Sequence, residues 1–101
     1  MSAPLSKIQI TAGLSDLPGW SYDASAQKIT KTYQFAHFKE AMGFLVRVAF
    51  EAESLNHHPE IYNVYRTVTL SLNTHDADGK VTQKDMELAK AIETLNWLKP
   101  S

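Results

Sequence analysis

Apolar and polar side chains alternate along this chain with a period that changes several times, and each change marks an element. Residues 28–35 place Ile29, Lys31, Tyr33 and Phe35 on one face and Lys28, Thr30, Thr32 and Gln34 on the other, the period of two expected of a half-buried strand. Before it, Trp20 and Tyr22 alternate with small polar residues behind a Pro18-Gly19 turn, and the break at residues 23–26 makes the two runs a hairpin. Over residues 36–56 the period becomes helical, with Phe38, Met42, Leu45, Ala49 and Ala52 recurring at steps of three or four. The apolar arc of this helix, from Phe44 through Leu45 and Ala49 to Phe50, covers about 240° of the wheel, against roughly 100° for an ordinary one-sided helix. Phe44 or Phe50 therefore needs a cover beyond a single sheet face. Pro59 stops the helix, since it has no N–H to donate and turns His58 away from helical angles.

Residues 62–74 read as one long strand, with Val64, Val68, Leu70 and Leu72 on one face and Tyr65, Thr67, Thr69, Ser71, Asn73 and His75 on the other. Asp76-Ala77-Asp78-Gly79 is a turn, and Thr82-Gln83-Lys84-Asp85 a capping box, with Val81 placed to staple against Met86. The helix it opens carries Met86, Ala89, Ile92 and Leu95 at steps of three, widened by Leu88 and Ala91, and Pro100 marks its end. Residues 1–19 support two readings: Ile8, Ile10 and Thr11 favour a strand, while Ser6 suits the cap of a short helix running to Gly13. The order strand, strand, helix, strand, helix points to an α+β two-layer sandwich with helices on one face of an antiparallel sheet. Such a sheet has edges to protect, and pairing one of them with a second copy makes a homo-oligomer the expected state.

Composition narrows the function classes. The chain has 101 residues, Lys+Arg 10 against Asp+Glu 11 and a formal net charge of −1, which suits one domain spanning residues 1–101 and leaves no basic footprint for nucleic acid or anionic lipid. The absence of cysteine excludes disulfides, thiolate zinc sites, iron–sulfur clusters and a cysteine nucleophile. The longest apolar run, residues 41–46, falls far short of the ~20 residues a membrane span needs, and the amino terminus has no basic segment followed by a long apolar one. No membrane association and a cytoplasmic location are the expectations.

Three of the four histidines, His57, His58 and His75, fall at element ends, where sites are commonly built. Imidazoles exist in both protonation states near neutral pH, so a pair of them can supply the donor and the acceptor of one reaction. The competing structural role is to cap helix carbonyls and favour the negative end of the helix dipole. Zinc held by three imidazoles and Glu53 is disfavoured: adjacent histidines do not easily aim at one ion, and no H-E-x-x-H pairing exists. Asp76-Ala77-Asp78-Gly79 lacks the later ligands of a calcium loop. Glu53 lies inside the apolar arc of the long helix, so either that turn projects past the sheet into water, or Glu53 and Asn56 line a cleft beside His57.

The stretch Glu53-x-x-x-His57-His58-Pro59, followed by Tyr65 after five residues, His75 after nine more and Asp85 after a further nine, resembles the signature of pterin-4a-carbinolamine dehydratases. The likeness extends through Leu17-Pro18-Gly19-Trp20, residues 29–35 with Phe38, Asn63-Val64-Tyr65 and residues 82–91, nearly the whole chain. Many relatives carry aspartate where this chain has Asn56. The resemblance implies a four-stranded antiparallel sheet continued across a dimer, and a homodimer or homotetramer as the assembly. It implies dehydration of 4a-hydroxytetrahydropterin to quinonoid dihydropterin, in support of tetrahydropterin recycling, without metal or cofactor. It further implies catalysis by His57, His58 and His75, with Glu53, Asn56, Pro59, Thr74 and Asp76 against the pterin. Two alternatives stand beside it: a dimerisation or coactivator-type protein-binding module, and a role near molybdopterin cofactor metabolism.

Overall fold

The computed structural model describes residues 3–95. Its elements are α1 (Lys7–Leu14), β1 (Ser21–Asp23), β2 (Lys28–Gln34), α2 (Phe38–Ser54), β3 (Glu60–Val64), β4 (Thr67–Leu72), a 3-10 turn (His75–Ala77) and α3 (Gln83–Thr94). The strands form one antiparallel sheet in the order β1-β2-β4-β3. Ile29, Tyr33, Val68, Leu70 and Leu72 are buried on the sheet face that meets Phe44, Val48, Leu88 and Ile92 of α2 and α3. The opposite face carries Thr30, Thr32, Thr69 and Ser71, whose hydroxyls pair across β2 and β4. This is the expected α+β sandwich with a four-stranded sheet.

The amino-terminal ambiguity resolves as helix. Ser6 accepts from Gln9 N at 3.2 Å while the Gln9 side chain accepts from Ser6 N at 2.8 Å, a reciprocal cap that satisfies donors an isolated strand would leave open. The single strand expected over residues 62–74 is corrected to a hairpin: Val64 pairs with Thr67, and Tyr65 sits between them at φ 51°. The hairpin also moves Val64 to the other face, opposite Thr67 on the hydroxyl side, where it is exposed, whereas Asn63 and Ile61 stand opposite buried Val68 and Leu70. A two-residue loop shifts the alternation by one relative to a continuous strand. Asn63 fixes the loop by donating through Nδ2 to the carbonyls of Tyr65 and Thr67, both at 3.0 Å.

The wide arc of α2 splits as its width required. Phe44 is fully buried, tilted against the rings of Tyr33 and Phe35 with centroids 4.8 and 5.0 Å away, whereas Phe50 is 71% exposed. Val81 and Met86 are both buried at the start of α3, as a staple requires. The expected end of that helix at Pro100 lies outside the described residues.

Candidate functional site

Two helix ends and one strand end meet at the site. At the first, α2 closes in a Schellman arrangement: Asn56, at φ 52°, donates its N–H to Glu53 O at 3.1 Å, and His57 N donates to Ala52 O at 2.9 Å. Asn is among the few non-glycine residues that take left-handed angles readily, and the reversal turns His57 back toward the start of α3. At the second, β4 runs into a closed loop in which Thr74 N donates to Lys80 O at 2.9 Å and Gly79 N to Thr74 O at 3.0 Å. Left-handed Asp78 and Gly79 allow this tight return, which presents His75 and Asp76 at its tip.

The third component is the capping box of α3, where Asp85 is fully buried. Its Oδ2 accepts from Thr82 N at 2.8 Å and from the Thr74 hydroxyl at 2.9 Å, and its Oδ1 pairs with His57 Nε2 at 2.5 Å. The Thr82 hydroxyl, 2.7 Å from Thr74 Oγ1, completes the chain and accepts from Lys84 N. A carboxylate accepts, so the His57 hydrogen that meets it sits on Nε2, and Nδ1 is the ring nitrogen left without a partner among the described residues. The same carboxylate thus closes the helix cap and orients an imidazole.

Between these parts lies a cavity of about 230 Å³ lined by Asn56, His57, His58, Asn73, Thr74, His75, Asp76 and Lys84. This is at the small end for a ligand site, where about 300 to 1,000 Å³ is usual, and suits a bicyclic ring better than a large cofactor. The three histidines singled out from sequence converge on it, together with Asn56, Thr74 and Asp76. Glu53 and Pro59 are not on its wall. Glu53 instead stands 80% exposed and meets His58 Nε2 at 3.0 Å, so the last turn of α2 projects into water. Asn73 and Lys84 join the wall without having been singled out; Asn73 belongs to the polar face of its strand, and Lys84 reads in sequence only as the middle of a capping box. Asp85 was readable as a cap and as part of the family spacing, but its bond to His57 depends on two segments 28 residues apart. Among the described residues no three His, Cys, Asp or Glu side chains are grouped to hold a metal ion.

The fold and the cavity define a class: a two-layer α+β sandwich with a small histidine-lined cleft at the ends of its elements. The family model described as "Pterin 4 alpha carbinolamine dehydratase" matches residues 3–95, and the chain belongs to that family of hydro-lyases. A relative from Opitutus terrae, named "Putative pterin-4-alpha-carbinolamine dehydratase", is 52% identical over 98 residues, covering 97% of this chain and 99% of its own. One of the same name from Rhizobium leguminosarum bv. trifolii is 49% identical over 89 residues, 88% of this chain and 87% of its own. Among solved structures, a transcriptional coactivator/pterin dehydratase from Brucella melitensis superimposes with a TM-score of 0.86 at 33% identity, over 91% of this chain and 97% of that one. A pterin dehydratase-like protein described as a RuBisCO assembly factor shares the fold, with a TM-score of 0.66 at 17% identity over 80% of this chain and 93% of that one.

Proposed function

We propose that this protein dehydrates 4a-hydroxytetrahydropterin to quinonoid dihydropterin by histidine acid–base catalysis, in the cytoplasm and in support of tetrahydropterin recycling. The observation that carries this reading is His57, whose ring is held by buried Asp85 with Nδ1 left for a substrate, on one cavity with His58 and His75. The reaction removes the N5 proton and the C4a hydroxyl as water, so it needs one group to accept a proton and another to deliver one to the leaving oxygen. His57 suits the acceptor, because its Nε2 hydrogen is committed to Asp85, which orients the ring and leaves Nδ1 as the nitrogen without a partner among the described residues. His75, whose side chain has no hydrogen bond among the described residues, suits delivery to the hydroxyl, with His58 beside it. Asn56, Thr74 and Asp76 then contact the ring.

The test is turnover of freshly generated 4a-hydroxytetrahydropterin by purified protein, with and without chelator. The expected result is acceleration over the uncatalysed reaction in both cases. Activity that vanished with chelator and returned with zinc would replace this mechanism with a metal-assisted one. A second reading, a protein-binding module, is favoured by one observation: Val46 and Phe50 form an exposed apolar patch on α2, and the Brucella relative is described as a coactivator as well as a dehydratase.

A further inference from the structure

Thr74 is 2% exposed, and each of its polar atoms has a partner. Its N–H donates to Lys80 O at 2.9 Å, and its carbonyl accepts from Ala77 N at 3.1 Å and Gly79 N at 3.0 Å, so its backbone closes the loop that presents His75. Its hydroxyl lies between two groups, 2.9 Å from Asp85 Oδ2 and 2.7 Å from the hydroxyl of fully buried Thr82. A hydroxyl has one hydrogen to give, and a carboxylate accepts. The Thr74 hydrogen therefore goes to Asp85, which makes Thr82 the donor to Thr74 Oγ1, and the Thr82 oxygen in turn accepts from Lys84 N at 3.2 Å. One direction satisfies the whole chain: Lys84 N to Thr82, Thr82 to Thr74, Thr74 to Asp85. Thr82 N donates to the same Oδ2 at 2.8 Å, so all of these hydrogens point toward Asp85.

Resting on the reading of His57 as the proton acceptor of a dehydratase, we infer that Thr74 is a positioning residue for the reaction: through Asp85, its hydroxyl holds the His57 hydrogen on Nε2 and leaves Nδ1 for the substrate. The two donors to Oδ2 fix the rotation of the carboxylate and thereby aim Oδ1 at Nε2, 2.5 Å away. In the opposite tautomer a bare Nε2 would face an oxygen that has no hydrogen either, so the contact holds in one tautomer only. The bond from Thr82 N belongs to the cap of α3, whereas the Thr74 hydroxyl reaches Asp85 from the end of β4 and makes helix, strand and imidazole one buried unit. Thr74 also lines the cavity and directly precedes His75, so a single residue anchors the settings of two histidines.

The experiment reads the His57 tautomer from nitrogen–hydrogen NMR correlations of isotope-labelled histidine at about pH 8.5, above the ordinary imidazole range, with His57→Ala to assign the signals. Wild-type protein should show hydrogen on Nε2 of His57 alone. Thr74→Val, which lacks the hydroxyl, should show both tautomers and lower kcat by on the order of 10-fold with KM within about 2-fold. Thr74→Ser, which keeps the hydroxyl, should return both readings to wild type. A purely structural role would lower the melting temperature of Thr74→Val and leave its tautomer unmoved, and that result overturns the inference. So does a wild-type His57 with its hydrogen on Nδ1, a measurement that needs no variant to fold. Because the spectrum needs no substrate, it separates the two claims: wild-type protein without pterin turnover overturns the dehydratase reading, whereas an unmoved tautomer beside normal turnover overturns the role of Thr74 alone.

Discussion

Asp85 accepts three hydrogen bonds from a position without solvent contact, and each has a separate consequence. The bond from Thr82 N closes the first turn of α3, the bond from Thr74 ties β4 to that helix, and the contact with His57 fixes an imidazole tautomer. Asp85→Ala should therefore destabilise the fold by about 2 to 3 kcal/mol, from the lost cap and from donors left without partners. Asp85→Asn, which keeps the shape, should lose less stability but lower kcat by on the order of 10², because an amide does not hold the His57 tautomer. Comparing urea unfolding with turnover for the pair separates the two roles; equal effects on both quantities would make Asp85 purely structural. Among the histidines, His57→Ala should cost roughly 10²–10⁴ in rate and His58→Ala less, since His58 is exposed and tethered to an exposed carboxylate. Glu53→Gln should change KM by less than about 3-fold, as expected for an exposed pair.

At the scale of elements, α3 is clamped at its far end by a second, half-buried carboxylate. Glu93 accepts from the Tyr33 hydroxyl at 2.5 Å, from Trp20 Nε1 at 3.1 Å and from Lys31 Nζ at 2.9 and 3.0 Å. Lys31 also donates to Pro18 O at 2.8 Å and passes so close to Gly19 that a Cβ there would lie 2.8 Å from Lys31 Cε. With φ at 86°, Gly19 is called for by its backbone angle, and a side chain there would also displace the end of Lys31 from Glu93 and Pro18, which accounts for the glycine of the Leu17-Pro18-Gly19-Trp20 run in physical terms. Burial works to raise the Glu93 carboxyl, but the hydrogen bonds from Tyr33, Lys31 and Trp20 and the charge of Lys31 outweigh it and hold the group below its ordinary 4.5. A depressed folded value contributes stability that is complete above the unfolded value and is lost as pH falls through the folded one. Glu93→Gln should accordingly lower the melting temperature at neutral pH and flatten its decline between about pH 5 and about pH 3. Parallel acid limbs for variant and wild type would sink this account. Tyr33 is raised by burial first and by the bond and charge of Glu93 next, so its share is complete below 10.0 and is lost only above it.

For the whole molecule, the surfaces left open among the described residues include a sheet edge and a helix face. The outer edge of β3 has no partner strand, and the α2 face bearing Val46 and Phe50 has no cover. Ile61, Tyr62 and Val64 add exposed apolar area along that edge. Open edges and apolar patches of this kind favour self-association, so light scattering at micromolar concentration should give at least twice the chain mass. Phe50→Asp should reduce the assembly if the helix face carries it and leave it intact if the β3 edge does. A wild-type monomer would remove the expectation altogether. No helix among the described residues is long and apolar enough to cross a membrane.

Local patterns alone determined most of the elements. The period of two in β2 and β4, the helical period of α2 and the capping box at Thr82 are short-range effects, written within a few residues of where they act. The Tyr65 turn escaped because Tyr65-Arg66 carries none of the glycine, asparagine or aspartate that mark such a turn, and because a tyrosine is an unusual residue at positive φ. The histidines were legible as chemistry, and their spacing as a family signature. What only the tertiary structure decided was which polar groups meet: that Asp85 reaches His57, that Glu53 turns outward while Asp76 and Lys84 share the cavity, and that Phe44 is buried while Phe50 is not. Each of these depends on the relative placement of elements distant in sequence, and a helical wheel or a strand pattern specifies which face a residue occupies without specifying what lies opposite it.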